Sequence, residues 1–144
     1  MARLKIEFPE KSLATLTIPV RITDINYGNH LGNNALVEII HEARMQFFTS
    51  FGFSEMDAGG ISLIMSDLQV AYRNEAFYGD VLEIMLFCTE IQKVSFEILY
   101  EIKVTRENRP IIIAHAKTGM VGYNYQQKKV MPLTEMLKSI LLPF

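Results

Sequence analysis

Thirteen residues between Asp24 and Leu36, which we call the polar loop, contain most of the side chains in this sequence that could do chemistry. The segment reads DINYGNHLGNNAL and combines a carboxylate, an imidazole and several amides with two glycines. A turn needs only one or two of Gly, Asn or Asp to form. The loop also leads into a helix-like run, whose first turn would present free backbone N–H groups. We therefore predict that the polar loop carries a functional site.

Composition narrows the class of protein. The chain has 144 residues, which predicts one domain spanning 1–144. A net charge of −2 argues against a nucleic-acid partner. The only cysteine, Cys88, cannot form an intramolecular disulfide and fits a reducing compartment. No targeting segment is evident, and no apolar run approaches the roughly 20 residues that a membrane span needs. We expect a cytoplasmic protein without a membrane partner.

Hydrophobic periodicity predicts one long helix and several strands. Residues 13–23 read as a strand in which Pro19 must lie at an edge or a bulge. Asn33 or Asn34 is the expected N-cap of a helix that ends near Gly52. The apolar residues of this helix recur at helical spacing, at Leu36, Ile40, Ala43 and Phe47. Further strands are predicted over 67–73, 81–90, 96–104 and 111–123, with a final short helix over 133–141.

This order of elements predicts an α+β architecture, in which an antiparallel sheet wraps around one long central helix. The helix would cover one face of the sheet. We expect the outer face to retain apolar residues, and this predicts a homodimer or a dimer of dimers (a homotetramer).

The polar loop and the elements around it resemble the hotdog-fold acyl-CoA thioesterases, the broad group that includes 4-hydroxybenzoyl-CoA thioesterase. The matching pieces are Asp24, the run 28–34 (GNHLGNN) and the helical Glu-Ala-Arg at 42–44. A second match runs from 70–73 (VAYR) to 78–82 (YGDVL). The resemblance implies a dimer with two equivalent sites. Two departures are the extra residue Asn29 and Leu36, which stands where many relatives have Tyr.

With this resemblance, the polar loop suggests a mechanism for thioester hydrolysis. The helix N-terminus at Asn33 and Asn34 would polarise the thioester carbonyl. Asp24 would act as a general base on water or attack directly, although an Asp here could also be a turn or capping residue. His30 could hydrogen-bond the substrate carbonyl or hold Asp24. Alternatively, it braces the loop by bonding a backbone carbonyl.

Other charged residues are secondary candidates. Glu42 lies at a helix position where some relatives carry a catalytic carboxylate, but it could equally pair with Arg44 or Arg73. Glu38 should face solvent. The phosphates of coenzyme A could meet basic side chains at Arg73, Lys93, Lys128 and Lys129. Cys88 lies in an apolar strand and reads as a core thiol. No ligand spacing indicates a metal site, and no separate cofactor is expected, because coenzyme A belongs to the substrate.

The sequence therefore predicts an enzyme that hydrolyses an acyl-CoA or acyl-carrier-protein thioester. One alternative is a 2-enoyl-CoA hydratase of the same fold, whose loop reads Asp-x-Asn-Pro-x-His. Here Tyr27 replaces the Pro and His30 falls one residue late. A second alternative is a non-catalytic module that binds acyl groups or a partner protein.

Overall fold

The computed structural model describes residues 4–142, so the first three and last two residues of the predicted domain lie outside the described residues. The elements in chain order are β1 (Ala14–Pro19), a 3-10 turn (Ile22–Asp24), α1 (Asn33–Thr49), β2 (Ser62–Tyr72), β3 (Val81–Thr89), β4 (Ser95–Arg106), β5 (Arg109–Asn124), β6 (Lys129–Val130) and α2 (Glu135–Leu141). Neither helix is long and apolar enough to cross a membrane within residues 4–142.

The strands form one antiparallel sheet in the order β1-β3-β4-β5-β2, and β6 pairs with the end of β5. The predicted α+β class is confirmed. Strand β3 lies between β1 and β4, which explains why its sequence is apolar on both faces. Pro19 is the last residue of β1, and among residues 4–142 β1 pairs only with β3, so the predicted edge position is also confirmed.

Helix α1 packs on the inner face of the sheet through one stripe of its surface. The buried apolar residues of the stripe are Leu36, Ile39, Ile40, Ala43, Phe47 and Phe48. They contribute to the same core as Leu82, Ile84, Ile98 and Ile102 from the strands. Glu38 is exposed on the opposite side, as predicted. Helical periodicity thus fixes which face of α1 meets the sheet, and with it the direction in which the N-terminus of the helix points.

Strand β2 begins earlier than predicted because its alternation of side chains is interrupted. A register shift between Met65 and Asp67 marks a bulge, and the Asp67 carboxylate accepts a hydrogen bond from the Gly119 N–H at 2.8 Å. A bulge moves successive side chains out of the strict two-residue period, so periodicity detects only the part of the strand after it.

The outer face of the sheet carries both apolar and charged residues. Phe87 and Leu99 lie opposite each other there, in agreement with the prediction that this face retains apolar residues, and Phe8 covers Phe87 with ring centroids 5.0 Å apart. Three ion pairs of 3.1 to 3.4 Å cross neighbouring strands there: Glu83–Lys103, Glu101–His115 and Glu97–Lys117. The exposed apolar surface lies instead beside edge strand β2, where Met65 is 44% and Tyr72 is 41% exposed. Helix α1 lies closer to β1, which leaves a groove on the β2 side.

The short helix α2 begins two residues after its predicted start because Thr134 caps it. The Thr134 hydroxyl accepts a hydrogen bond from the Leu137 N–H at 3.1 Å and donates one to the Gly59 carbonyl at 2.7 Å. We predict that Thr134→Ala lowers the free energy of unfolding by about 1 to 2 kcal/mol, since it removes the cap. Urea unfolding measures the loss. Thr134→Ser, which keeps the hydroxyl, should retain most of the stability; equal losses in both variants would refute the capping role.

Candidate active site

The polar loop is held in a tight turn by Asn26. The Asn26 N–H donates to the His30 carbonyl at 2.9 Å, and the Asn26 side-chain oxygen accepts from the Gly28 N–H at 2.9 Å. The extra residue Asn29 has a φ of 65°, a left-handed conformation that Asn adopts more readily than most residues. The extra residue is therefore absorbed at the tip of the turn, between the two hydrogen-bonded ends.

Helix α1 starts with Gly32 as its N-cap, so the predicted cap at Asn33 or Asn34 is wrong. The Gly32 N–H donates to the Asp24 carbonyl at 3.0 Å, which places glycine rather than asparagine at the helix start. Glycine has no side chain with which to cap the helix. Among residues 4–142, no group accepts a hydrogen bond from the N–H groups of Asn33, Asn34 or Ala35. These donors lie at the positive end of the helix dipole and are open to an anionic or carbonyl oxygen.

Two cavities flank this helix N-terminus, and Gly32 and Asn33 line both. The first, which we call the His30 cavity, is about 230 Å³ and combines His30, Tyr72, Arg73 and Glu75 with the apolar Leu31, Leu36, Ala76 and Ile113. The second, the Asp24 cavity, is about 510 Å³ and is lined by polar loop residues together with Asn34, Ala35 and Glu38. The open N–H groups therefore stand between a mostly apolar space and a polar one.

Asp24 is buried beneath the polar loop and bound to Arg21. Its carboxylate accepts hydrogen bonds from the Arg21 backbone N–H at 2.8 Å and from the guanidinium at 3.2 and 3.4 Å. The hydrogen bonds that Arg21 donates to Asp24 and the negative charge of that carboxylate raise the pKa of Arg21. Asp24 thus does what a capping residue does, and it also lines a cavity beside the open N–H groups. The geometry is compatible with both sequence interpretations.

His30 braces the loop and does not contact Asp24. Its Nδ1 lies 3.2 Å from the Leu31 carbonyl oxygen, and its Nε2 lies 3.7 Å from Glu75 Oε1. Since a carbonyl can only accept, Nδ1 carries the proton of the neutral ring and Nε2 keeps a lone pair. Asp24 and His30 line different cavities, whereas a hydratase needs its Asp and His to share one water molecule.

Glu42 is exposed on the outer side of α1. It accepts a hydrogen bond from the Gln46 side chain at 2.9 Å and pairs with neither Arg44 nor Arg73. It lines a cavity of about 330 Å³ together with Arg21 and Glu38. Its catalytic role stays a prediction.

Of the four basic residues predicted to meet coenzyme A, only Arg73 lies at this site. Arg73 lines the His30 cavity and donates to the Leu4 carbonyl at 3.0 Å. Lys128 and Lys129 lie at the turn after β5, roughly 35 Å along that strand from Ile113 in the cavity wall. Lys93 lies near the same distant end. Its carbonyl accepts a hydrogen bond from the Leu133 N–H, and the carbonyl of the next residue, Val94, accepts one from the Gly122 N–H. Within a single chain these three lysines are not brought to the site.

The structure adds three residues that sequence reasoning missed. Tyr72 donates from its hydroxyl to the Asn33 carbonyl at 3.1 Å, and Glu75 faces His30. Glu75 lies in an irregular segment, where no pattern distinguishes it. Arg44 is only 4% exposed. It falls on the apolar stripe of α1, and a charged residue at such a position was a signal that the sequence did offer.

The remaining candidates carry little chemistry. Burial raises the pKa of the Cys88 thiol to about 12, which disfavours the nucleophilic thiolate. No three His, Cys, Asp or Glu side chains come together as metal ligands in the part of the chain that the structure describes.

Comparison with known proteins identifies the class. The model of the thioesterase-like superfamily matches residues 20–141, and the chain belongs to this superfamily. Its fold is the hotdog fold, as the sequence resemblance predicted. None of the proteins of curated function matches the sequence.

Solved structures share the fold at low sequence identity. A 1,4-dihydroxy-2-naphthoyl-CoA thioesterase from Synechocystis has a TM-score of 0.77 and 20% identity, covering 88% of this chain and 93% of that one. A gentisyl-coenzyme A thioesterase has a TM-score of 0.74 and 15% identity, over 90% and 100% of the two chains. A Staphylococcus aureus protein in complex with CoA has a TM-score of 0.77 and 17% identity, over 96% and 85%.

The contact between His30 and the Leu31 carbonyl predicts the tautomer of the imidazole. We expect neutral His30 to carry its proton on Nδ1, which can be read from the nitrogen chemical shifts in a long-range proton–nitrogen NMR spectrum. His41 provides the internal comparison, because its Nε2 faces a Glu55 oxygen at 2.7 Å and should carry the proton. A proton on Nε2 of neutral His30 would contradict the assigned geometry.

Proposed function

We propose that this protein hydrolyses an acyl thioester of coenzyme A or of an acyl carrier protein. The observation that carries the proposal is the open N-terminus of α1, whose donors from Asn33 to Ala35 stand between two cavities. A thioester carbonyl oxygen placed there would gain negative charge during attack and receive these hydrogen bonds. One such donor contributes roughly 3 kcal/mol to stabilising the transition state. Membership in the thioesterase-like superfamily supports the same reaction.

The distribution of charge suggests how the substrate is oriented. Asp24 and Glu38 line the Asp24 cavity, and Glu42 lines the cavity next to it. These carboxylates would repel the phosphates of coenzyme A. Arg73 lines the His30 cavity together with Glu75. We therefore place the phosphopantetheine and the departing thiolate on the His30 side.

In this orientation, the attacking water approaches from the Asp24 cavity. Both carboxylate oxygens of Asp24 are held by Arg21, and the side chain is 3% exposed. Direct attack on the substrate would require Asp24 to leave this environment. A water molecule in the cavity can reach the thioester carbon while Asp24 stays in place, so we assign Asp24 as a general base. The thiolate leaves and the acid is released.

The assignment of Asp24 predicts a large loss of activity in Asp24→Asn. Asn keeps the size of the side chain and an acceptor for the Arg21 N–H, but it cannot take a proton. We expect kcat/KM to fall by at least about 100-fold. The value of kcat/KM is measured from the rate of thiol release with a panel of acyl-CoAs of different length and aromaticity. Asp57→Asn is the matched control: Asp57 also accepts from a backbone N–H, that of Gly60 at 2.9 Å, but lines neither cavity.

Two results would contradict the proposal. Wild-type activity in Asp24→Asn removes Asp24 from the mechanism, and tight binding of acyl-CoAs without turnover by the wild type would indicate a binding module. A single-turnover reaction in water labelled with heavy oxygen tests the role of Asp24. A general base puts solvent oxygen into the acid and leaves Asp24 unlabelled. A nucleophilic carboxylate forms a mixed anhydride; water that opens it at the Asp24 carbonyl leaves the original Asp24 oxygen in the acid and puts solvent oxygen into Asp24, where mass spectrometry of the protein detects it.

We also propose that the working unit is a homodimer or a dimer of dimers, formed along β2. Among residues 4–142 no second strand pairs with β2 besides β5, so backbone groups on its other edge stay unpaired after Leu63, whose N–H donates to the Glu55 carbonyl at 2.7 Å. Exposed Met65 and Tyr72 lie on the same strand, and Tyr27 at the tip of the polar loop is fully exposed. Pairing of two copies at this edge would cover these apolar groups. A second copy is also the route by which Lys93, Lys128 and Lys129 could reach a substrate.

Light scattering after gel filtration tests the assembly. The expected mass is two or four times the chain mass of 16.5 kDa. In the assembled protein, amide hydrogen exchange in β2 should be as slow as in the interior strand β4, because an edge strand that gains a neighbour has its outward N–H groups protected. A monomer with full thioesterase activity would refute the proposed working unit.

A further inference from the structure

The chain before β1, residues 4–13, lies against the outer face of the sheet, and we call it the N-terminal strap. At its end the Leu13 N–H donates to a backbone carbonyl of β3 at 2.7 Å. In its middle, the Phe8 ring contacts Phe87 of β3 and His115 of β5, with centroid distances of 5.0 and 4.8 Å. Strand β4 lies between β3 and β5, so the strap passes over the centre of the sheet.

The other end of the strap reaches the His30 cavity. The Leu4 carbonyl accepts a hydrogen bond from Arg73 Nη2 at 3.0 Å, and Arg73 lines that cavity. The backbone of Arg73, directly after β2, is fixed by its N–H, which donates to the Ile113 carbonyl at 2.9 Å. The sheet therefore holds the backbone of Arg73, and the strap holds its side chain.

The charge of Arg73 has no carboxylate partner among residues 4–142. The half-buried Arg106 pairs with Asp80, and Glu75, the one acidic residue of the His30 cavity, directs an oxygen at His30 Nε2 at 3.7 Å. The Leu4 carbonyl takes one of the roughly five N–H donors of a guanidinium, and a neutral acceptor does not compensate the charge. The remaining donors of Arg73 can therefore bind an anion at this cavity.

Holding the side chain in advance matters for such binding. An arginine side chain is long and flexible, and ordering it when a ligand arrives weakens the binding. The strap orders Arg73 before any ligand is present. The planar fork of a guanidinium also matches the oxygen spacing of a phosphate group. Arg73 and the strap together thus form a preorganised phosphate site beside the His30 cavity.

We propose that the N-terminal strap positions Arg73 to bind a phosphate group of coenzyme A. Arg73 contacts the ligand. Phe8 anchors the strap on the outer face of the sheet, so it is a positioning residue that acts through the Leu4 carbonyl. The choice of coenzyme A as the ligand rests on the proposed thioesterase function.

The first test measures the Kd of coenzyme A by calorimetry in the wild type, Phe8→Ala and Phe8→Leu, below the unfolding temperature of each. Loss of the anchor should raise the Kd about fivefold in Phe8→Ala, because Arg73 must then be ordered by the ligand. Phe8→Leu keeps an apolar contact with Phe87 and should stay within about twofold of the wild type. No measurable binding by the wild type, or an unchanged Kd in folded Phe8→Ala, would overturn the proposal. Tighter binding in Phe8→Ala would show that the Leu4 carbonyl competes with the phosphate, and it would overturn the proposal as well.

A double-mutant cycle tests whether Phe8 acts through Arg73. Arg73→Gln should raise the Kd of coenzyme A by at least about tenfold, since it removes charged hydrogen bonds. In that background Phe8→Ala should have no further effect. The control is Arg109→Gln at an exposed residue that lines no part of the His30 cavity, and it should retain the full effect of Phe8→Ala. Equal effects of Phe8→Ala with and without Arg73 would refute the positioning role.

A measurement on the wild type keeps the proposal testable if Phe8→Ala does not fold. We expect the Nε–H group of Arg73 to be ordered in the ligand-free protein, with an NMR order parameter above about 0.6. The exposed Arg109 provides the internal comparison and should be more mobile. A lower order parameter for Arg73 than for Arg109 would show that the strap does not hold the side chain.

Binding of coenzyme A separates this inference from the proposed function, because coenzyme A carries no thioester. If no acyl-CoA is hydrolysed, the proposed function fails, but a Kd that depends on Phe8 and Arg73 as described would still support the phosphate site. Active enzyme with the same Kd for coenzyme A in the wild type and Phe8→Ala would overturn the role of the strap and leave the hydrolase standing.

Discussion

The site depends on a helix N-terminus whose N–H groups are fixed in place but not satisfied by the protein. A helix usually meets this requirement with a side-chain cap. Here Gly32 is the cap, and backbone hydrogen bonds hold the loop instead. The Gly32 N–H donates to the Asp24 carbonyl, and the Leu31 N–H donates to the Ala76 carbonyl. The backbone is therefore rigid while its first N–H groups stay available. A side-chain cap would add stability but would occupy a donor that a substrate oxygen would use in the proposed mechanism.

Two segments far apart in the sequence build this site together. The polar loop supplies His30 and the helix start, and the end of β2 supplies Tyr72, Arg73 and Glu75. The hydrogen bonds from Leu31 to Ala76 and from the Tyr72 hydroxyl to the Asn33 carbonyl join them. The two sides differ in charge, since Asp24 and Glu38 line one cavity and Arg73 lines the other together with Glu75. In the proposed function, this asymmetry would give a thioester a preferred direction across the helix end.

The features that hydrophobic periodicity and turn chemistry control could be predicted from the sequence. The α+β class, the edge position of Pro19 and the exposure of Glu38 follow from local patterns. The N-cap was wrong because an Asn side chain is a good cap wherever a helix starts, whereas the actual start is set by a tertiary hydrogen bond from Gly32. The ion pairs on the outer face, such as Glu83 with Lys103, were not predicted. Register decides such pairs, and one sequence does not give it. No sequence pattern identified Glu75 as a residue of the site.

Helix α1 also carries a buried charge far from the open donors. Its first turn carries the donors, and Arg44 lies at the start of its fourth turn. The core accepts the buried guanidinium because Tyr100 and Glu55 face it, and Tyr100 in turn meets Thr118. Glu55 also lies 2.7 Å from His41 Nε2. Removing one of these partners would leave a buried charge uncompensated, so the core around α1 depends on the partners of Arg44 as a group.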